Sequence, residues 1–160
     1  MFDRDEILSC DDTALSARCE LLFCRGSGPG GQKRNKSSSA ARVRLAGTAF
    51  EAGDCTERSQ HRNRANALRK LRMKIALSVR DRWHAFPRKT CSPGHVEYPL
   101  FIASLFDALA EGSWEIAPAA EKLAVTPTAL LKTLSRDAEV WQAFCEKRRE
   151  ENLHPLKPGH

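Results

Sequence analysis

Residues 23–45 read FCRGSGPGGQKRNKSSSAARVRL. An apolar segment leads into four glycines within six residues, Gly26 to Gly31. Then come Gln32 and three cations among the next four residues. On one side, CELLFC (19–24) is short, apolar and bounded by glycines, which predicts a strand. On the other, ARVRLAG (41–47) puts Val43 and Leu45 on one face and Arg42 and Arg44 on the other, a half-buried strand. Residues 26–39, glycines, polar residues and serines, form the loop between them. TAFEAGDCT (48–56) reads as a returning strand.

Beyond the strands, a helix is predicted from Ser59, a good N-cap, to about Trp83. Ala65, Leu68, Leu71, Ile75, Val79 and Trp83 recur at helical spacing as its apolar stripe, with Arg58, Arg62, Arg69, Lys70, Arg72, Lys74 and Arg80 as a basic face. Before the first strand, residues 5–18 predict a short helix with Asp11 or Asp12 as N-cap. FPRKTCSPGHVEYP (86–99) reads as a linker from its prolines and glycine. After it the pattern is helical to Glu151. One helix ends at Gly112, a shorter one covers PAAEKLAV, a third starts at Thr126-Pro127, and a fourth is capped by Ser135. These readings give an α+β fold, a small antiparallel sheet packed on a long helix and followed by a C-terminal all-helical segment. The expected division is 1–86 for the sheet and long helix, 87–99 for the linker, 100–151 for the helical segment and 152–160 for the tail.

Charge is unevenly distributed. Between Arg25 and Lys89 there are 17 Lys/Arg against 4 Asp/Glu, while residues 1–24 carry 2 against 6 and residues 90–160 carry 7 against 10. A basic block between two mildly acidic ends predicts a polyanion-binding surface. The acidic C-terminal segment is a poor grip for nucleic acid despite a superficial helix-turn-helix pattern, and reads as a small bundle. No apolar run approaches the roughly 20 residues of a membrane span. The N-terminal MFDRDEIL lacks the features of a signal or transit peptide, so a cytoplasmic protein is expected. The six cysteines form no C-x-x-C pair and are expected as reduced, small buried hydrophobes. A zinc site from Cys91, His95 and His84 has poor spacing.

The glycine loop admits three readings. Gly26, Gly28 and Gly31 match the dinucleotide-binding fingerprint by letter, but that fingerprint needs an amphipathic helix to follow at once, and a strand follows here. The phosphate-cradling loop requires lysine where Gln32 stands. In the third reading, Gly30 and Gly31 allow backbone conformations and close approaches closed to other residues, and Pro29 stiffens the entry. The tip offers the Gln32 backbone N–H and one carboxamide. It holds no nucleophile and no titrating base. It can donate to a developing oxyanion and position water, which suffices for an already activated ester held among anions. The 3′ end of a peptidyl-tRNA is such an ester.

SGPGGQ, with Asn35 and Lys36 behind it, then RVRL, then ERSQHRNRANAL in that order, resembles the catalytic domain of class I peptide-chain release factors and their stop-codon-independent rescue relatives. The resemblance covers roughly residues 19–85. It implies that Gly30 and Gly31 shape the tip, that the Gln32 N–H stabilises the tetrahedral intermediate or the leaving oxygen, and that its side chain favours water as nucleophile. It implies rRNA contacts by Lys33, Asn35 and Lys36 in the loop and by Arg58, Ser59, Gln60, Asn63 and Arg64 at the helix start. Arg25 and Arg62 join them as cations of the same basic block. Arg34 stands where the family often has valine, and adds a guanidinium. The implied partners are the large-subunit rRNA at the peptidyl-transferase centre, peptidyl-tRNA, and a glutamine methyltransferase acting on Gln32. No metal or organic cofactor is implied. The short segment before the first strand leaves no room for a decoding domain, so the expected activity is ribosome-dependent release without stop-codon reading. The rivals are a non-catalytic rRNA-binding factor in the same site, which would not need Gln32, and a hydrolase of non-standard tRNA complexes.

Overall fold

The computed structural model describes residues 2–24 and 40–159. The chain divides into two compact units, Met1–Ile75 and Ala76–His160. The division falls inside the long helix, not in the proline-rich stretch 87–99.

In the first unit, two short helices precede the sheet: α1 (Arg4–Ser9) and α2 (Asp12–Ala17). The single helix expected over 5–18 is broken at Cys10, whose backbone is extended. The Cys10 carbonyl accepts from Arg72 instead of from a following turn (2.9 Å). The Asp11 side chain then caps the Ala14 N–H and restarts the helix at 2.8 Å. Three strands follow, β1 (Cys19–Cys24), β2 (Ala40–Leu45) and β3 (Glu51–Asp54), antiparallel in the order β1-β2-β3. Ala41, Val43 and Leu45 of β2 are buried and Arg42 and Arg44 exposed, the alternation expected of a half-buried strand. The β2–β3 turn uses Gly47 at φ 70°, open to glycine at little cost.

The long helix α3 (Gln60–Ser78) begins after Ser59, whose hydroxyl accepts from the Arg62 N–H at 3.4 Å. Leu68, Leu71 and Ile75 are fully buried, as the stripe predicts. Arg72 is buried too. Its guanidinium bonds Asp12 (2.6 Å) and the Cys10 carbonyl, so it ties α3 to the N-terminal helices and does not belong to an outward basic face.

In the second unit, the expected run of α3 to Trp83 is cut short. The backbone N–H groups of Asp81 and Trp83 turn to side-chain carboxylates, Asp107 Oδ1 at 3.1 Å and Glu111 Oε1 at 2.8 Å. Arg80 bonds the Ala76 carbonyl and Asp107 (3.2 Å) and lies over the Phe106 ring, so it too is an internal group. Four helices follow: α4 (Tyr98–Glu111), α5 (Ile116–Lys122), α6 (Pro127–Ser135) and α7 (Ala138–Glu150), each packed on the next. Helix α4 starts within the expected linker, with Pro99 in its first turn, and ends at Gly112. The Thr126 hydroxyl caps α6. Ser135 is the last residue of α6; Asp137 caps α7 by accepting from the Glu139 and Val140 N–H groups. Between α4 and α5, Ser113 and Trp114 are both left-handed (φ 53° and 61°), a costly conformation for non-glycine residues. The buried Arg148 holds that turn by donating to the Trp114 carbonyl at 2.6 Å and to the His154 carbonyl at 2.8 Å.

Candidate functional site

Strand pairing builds the frame of the site. Cys24 and Ala40 are cross-strand partners in the β1–β2 ladder, so residues 25–39 leave and re-enter the sheet at one paired position. Arg25, Gly30, Gly31, Gln32, Lys33, Arg34, Asn35 and Lys36 lie outside the described residues. The stem is an antiparallel pair of six residues each, with buried Val43 and Leu45 fixing its register. A one-residue slip would turn these two outward and the two arginines inward. On the solvent face, Arg44 pairs with Glu51 at 2.9 Å, while Arg42 is exposed and adds a weaker pull on the same carboxylate. Leu22 stands opposite Arg42 on the edge strand β1, 58% exposed.

The start of α3 supplies the second group. Arg58, Gln60 and Arg62 are exposed, and Arg64 is half-buried. Arg62 reaches Glu57 at 3.6 Å, but the arginine is 72% exposed. Such a surface pair contributes little and leaves the guanidinium open to a phosphate. Seven residues on, Arg69 is exposed on the same side by helical spacing. Asn63 is different. It is fully buried, and its carboxamide accepts from the Glu57 N–H and donates to the Glu57 carbonyl, both at 2.9 Å. Against the expected rRNA contact, its side chain is spent inside, closing the turn that presents Arg58 and Gln60. The family resemblance suggested RNA there, and no local pattern betrays a carboxamide that pairs with a backbone six residues earlier.

One internal knot joins the two groups. The Asp54 carboxylate at the end of β3 accepts from Lys70 (2.6 Å), Asn66 (3.0 Å) and Thr56 (2.8 Å). Burial pushes this carboxyl up, but the three donors more than offset it and hold its pKa down at about 2. Lys70 therefore serves the β3–α3 junction, and Lys74 bonds the Glu51 carbonyl at 3.2 Å beside it. Among the described residues of this unit, Arg42, Arg58, Arg62 and Arg69 are exposed cations outside this junction.

Burial pushes the Cys19, Cys91 and Cys145 thiols up, away from the thiolate form. Cys91 is buried, whereas Cys10, Cys19, Cys55 and Cys145 are only partly covered. Among the described residues no cluster of His, Cys, Asp or Glu has the arrangement of a metal site, and no helix is long and apolar enough to cross a membrane.

Residues 14–90 match the family model of the RF-1 domain. Among curated proteins, the chain is similar to peptide chain release factor 1 of Salinibacter ruber, 38% identical over 61 residues, which cover 38% of this chain and 17% of the relative. It is similar to peptide chain release factor 2 of Acidithiobacillus ferrooxidans, 47% identical over 51 residues, 32% of this chain and 14% of the relative. It is also similar to peptide chain release factor 1 of Xylella fastidiosa, 41% identical over 79 residues, 49% of this chain and 21% of the relative. The chain thus spans a small fraction of the length of these relatives, 17% of the first. No solved structure matches the chain.

Proposed function

We propose that this chain, a class I peptide chain release factor-like protein through its RF-1 domain, hydrolyses the ester between a nascent peptide and its tRNA on the ribosome without reading a stop codon. The observation that carries this reading is the Gly30-Gly31-Gln32 segment set between the paired ends of β1 and β2, within the matched domain. Water attacks the ester carbonyl, the bond to the tRNA 3′ oxygen breaks, and a proton passes to that oxygen, leaving a peptide acid and a free tRNA. The Gln32 N–H donates to the developing oxyanion, and the Gln32 side chain admits water as the nucleophile. Gly30 and Gly31 give the tip its shape. Arg25, Lys33, Arg34, Asn35 and Lys36 on the loop, and Arg58, Gln60, Arg62 and Arg64 behind it, contact the phosphates of large-subunit rRNA. Such contacts position the protein without reading sequence. A glutamine methyltransferase acting on Gln32 is a further partner under this reading.

One described feature fits codon independence: helices α1 and α2 are built into the core of the first unit, with Ile7, Leu8 and Leu15 buried and Arg72 bonded to Asp12. The test is peptide release from ribosomes whose A site holds a sense codon, a stop codon or no codon. Equal rates are expected on all three. Release confined to the stop codon would overturn the codon-independent part, and binding without release on any of them would leave only an rRNA-binding factor.

A further inference from the structure

Within the second unit a cavity of about 340 Å³ opens between the 83–90 segment and helices α4, α5 and α6. Its walls include the rings of Trp83, Phe86 and Phe101, and its cations are Arg88, Lys89 and Lys122. No carboxylate is among the lining side chains. Phe86 stands edge-on to Phe101, ring centres 5.5 Å apart, which fixes one wall. Lys122 lies 5.5 Å from the centre of the Trp83 ring and pairs with Glu111, just outside the cavity. Arg88 is 3.5 Å from Glu97 and half exposed. Lys89 has no ion-pair partner among the described residues; its ammonium donates to the Ala124 carbonyl at 3.2 Å.

A buried core excludes cations, and an ordinary surface mixes them with acids. A cavity with an aromatic wall, whose lining carries three cations and no acid although Lys122 and Arg88 share carboxylates outside it, fits a ligand that has both a π face and a negative charge, with Lys89 as the cation left for it. The volume lies at the small end of ligand sites. It admits one nucleotide and is too small for a helix or a duplex. We propose that this cavity takes a single unstacked nucleotide of RNA, its base against the aromatic wall and its phosphate on Lys89. The assignment of that RNA to the ribosome rests on the function proposed above; the cavity's chemistry does not. The cavity would give the protein a second grip on RNA, separate from the loop.

The test uses the full chain, a fluorescently labelled single-stranded RNA decamer read by anisotropy, and the half-saturating concentration for peptide release. Lys89→Gln is a surface change, and Phe86→Ala is accompanied by thermal melting to check its fold. Phe86→Ala is expected to weaken RNA binding about ten-fold, the effect of losing one stacked base. Lys89→Gln is expected to weaken it and to lower the salt slope by about one ion. Both should raise the half-saturating concentration and leave the rate at saturation unchanged. Weakened RNA binding in both variants, together with a wild type that releases no peptide, would uphold the cavity and remove the catalytic reading. Normal release with unchanged RNA affinity and half-saturation in the folded variants would overturn the cavity and spare that reading.

Discussion

Asp54→Asn removes one charge from the β3–α3 junction and keeps the side chain's shape. The native carboxylate is 6% exposed and accepts three bonds, from Lys70, Asn66 and Thr56. Its pKa of about 2 lies below the ordinary 3.8. A gap of that size corresponds to roughly 2.4 kcal/mol. The Lys70 partner is 54% exposed, and solvent screening reduces the net value to about 1–2 kcal/mol. Because the folded-state pKa is the lower one, this stabilisation is complete above the unfolded value and is lost as pH falls through the folded value. Asp54→Asn should therefore be less stable than wild type by about 1–2 kcal/mol at pH 7, and the difference should close between about pH 4 and pH 2. Urea unfolding followed by circular dichroism, run on both proteins at several pH values across that window, measures it. For a unit of this size each kcal/mol also moves the melting temperature by about 4–8 °C. A difference that stays constant down to pH 2, or no difference at pH 7, would refute the argument that an ionised, donor-bound Asp54 holds the junction.

Three further outcomes follow from other buried polar groups. Asn63→Ala leaves the Glu57 N–H and carbonyl without their partner and should cost about 1–3 kcal/mol in unfolding experiments, while weakening ribosome binding only through the displaced Arg58 turn. Asp107→Ala strips the Asp81 N–H of its acceptor and Arg80 of its carboxylate; a loss of about 3 kcal/mol or more is expected, with faster protease cleavage after Arg80 and Arg82. Arg148→Met frees the Trp114 and His154 carbonyls, and the left-handed Ser113–Trp114 turn should loosen, seen as faster hydrogen exchange there and a lower melting temperature.

The strands and helices that rest on local pattern were legible in the sequence. Alternation in ARVRL and the spacing of Leu68, Leu71 and Ile75 mark faces that any fold must bury. The end of α3 was not legible, because the acceptors that draw the N–H groups of Asp81 and Trp83 away from the helix are Asp107 and Glu111, far along the chain. Arg72 did leave a signal. It lies four residues after Leu68 and three before Ile75, on the buried stripe, yet its charge assigned it to the outer face. Ser135 and Asp137 compete as caps within two residues, and composition alone does not choose between them. For the site, the basic positions were readable from charge, but which of them face outward depends on partners such as Asp12 and Asp107, which no spacing rule connects to Arg72 and Arg80.

The most direct test of the central claim is single-turnover release of peptide from ribosomes stalled on truncated mRNA, comparing wild type with Gly31→Ala, Gln32→Ala and Gln32→Pro. Gln32→Pro removes the backbone N–H and should slow release about a hundred- to a thousand-fold, the value of one oxyanion donor. Gly31→Ala should be similarly impaired, Gln32→Ala, which keeps the N–H, less so, and all should still bind. Release unaffected by all three substitutions, or tight binding of wild type with no release, would contradict the account.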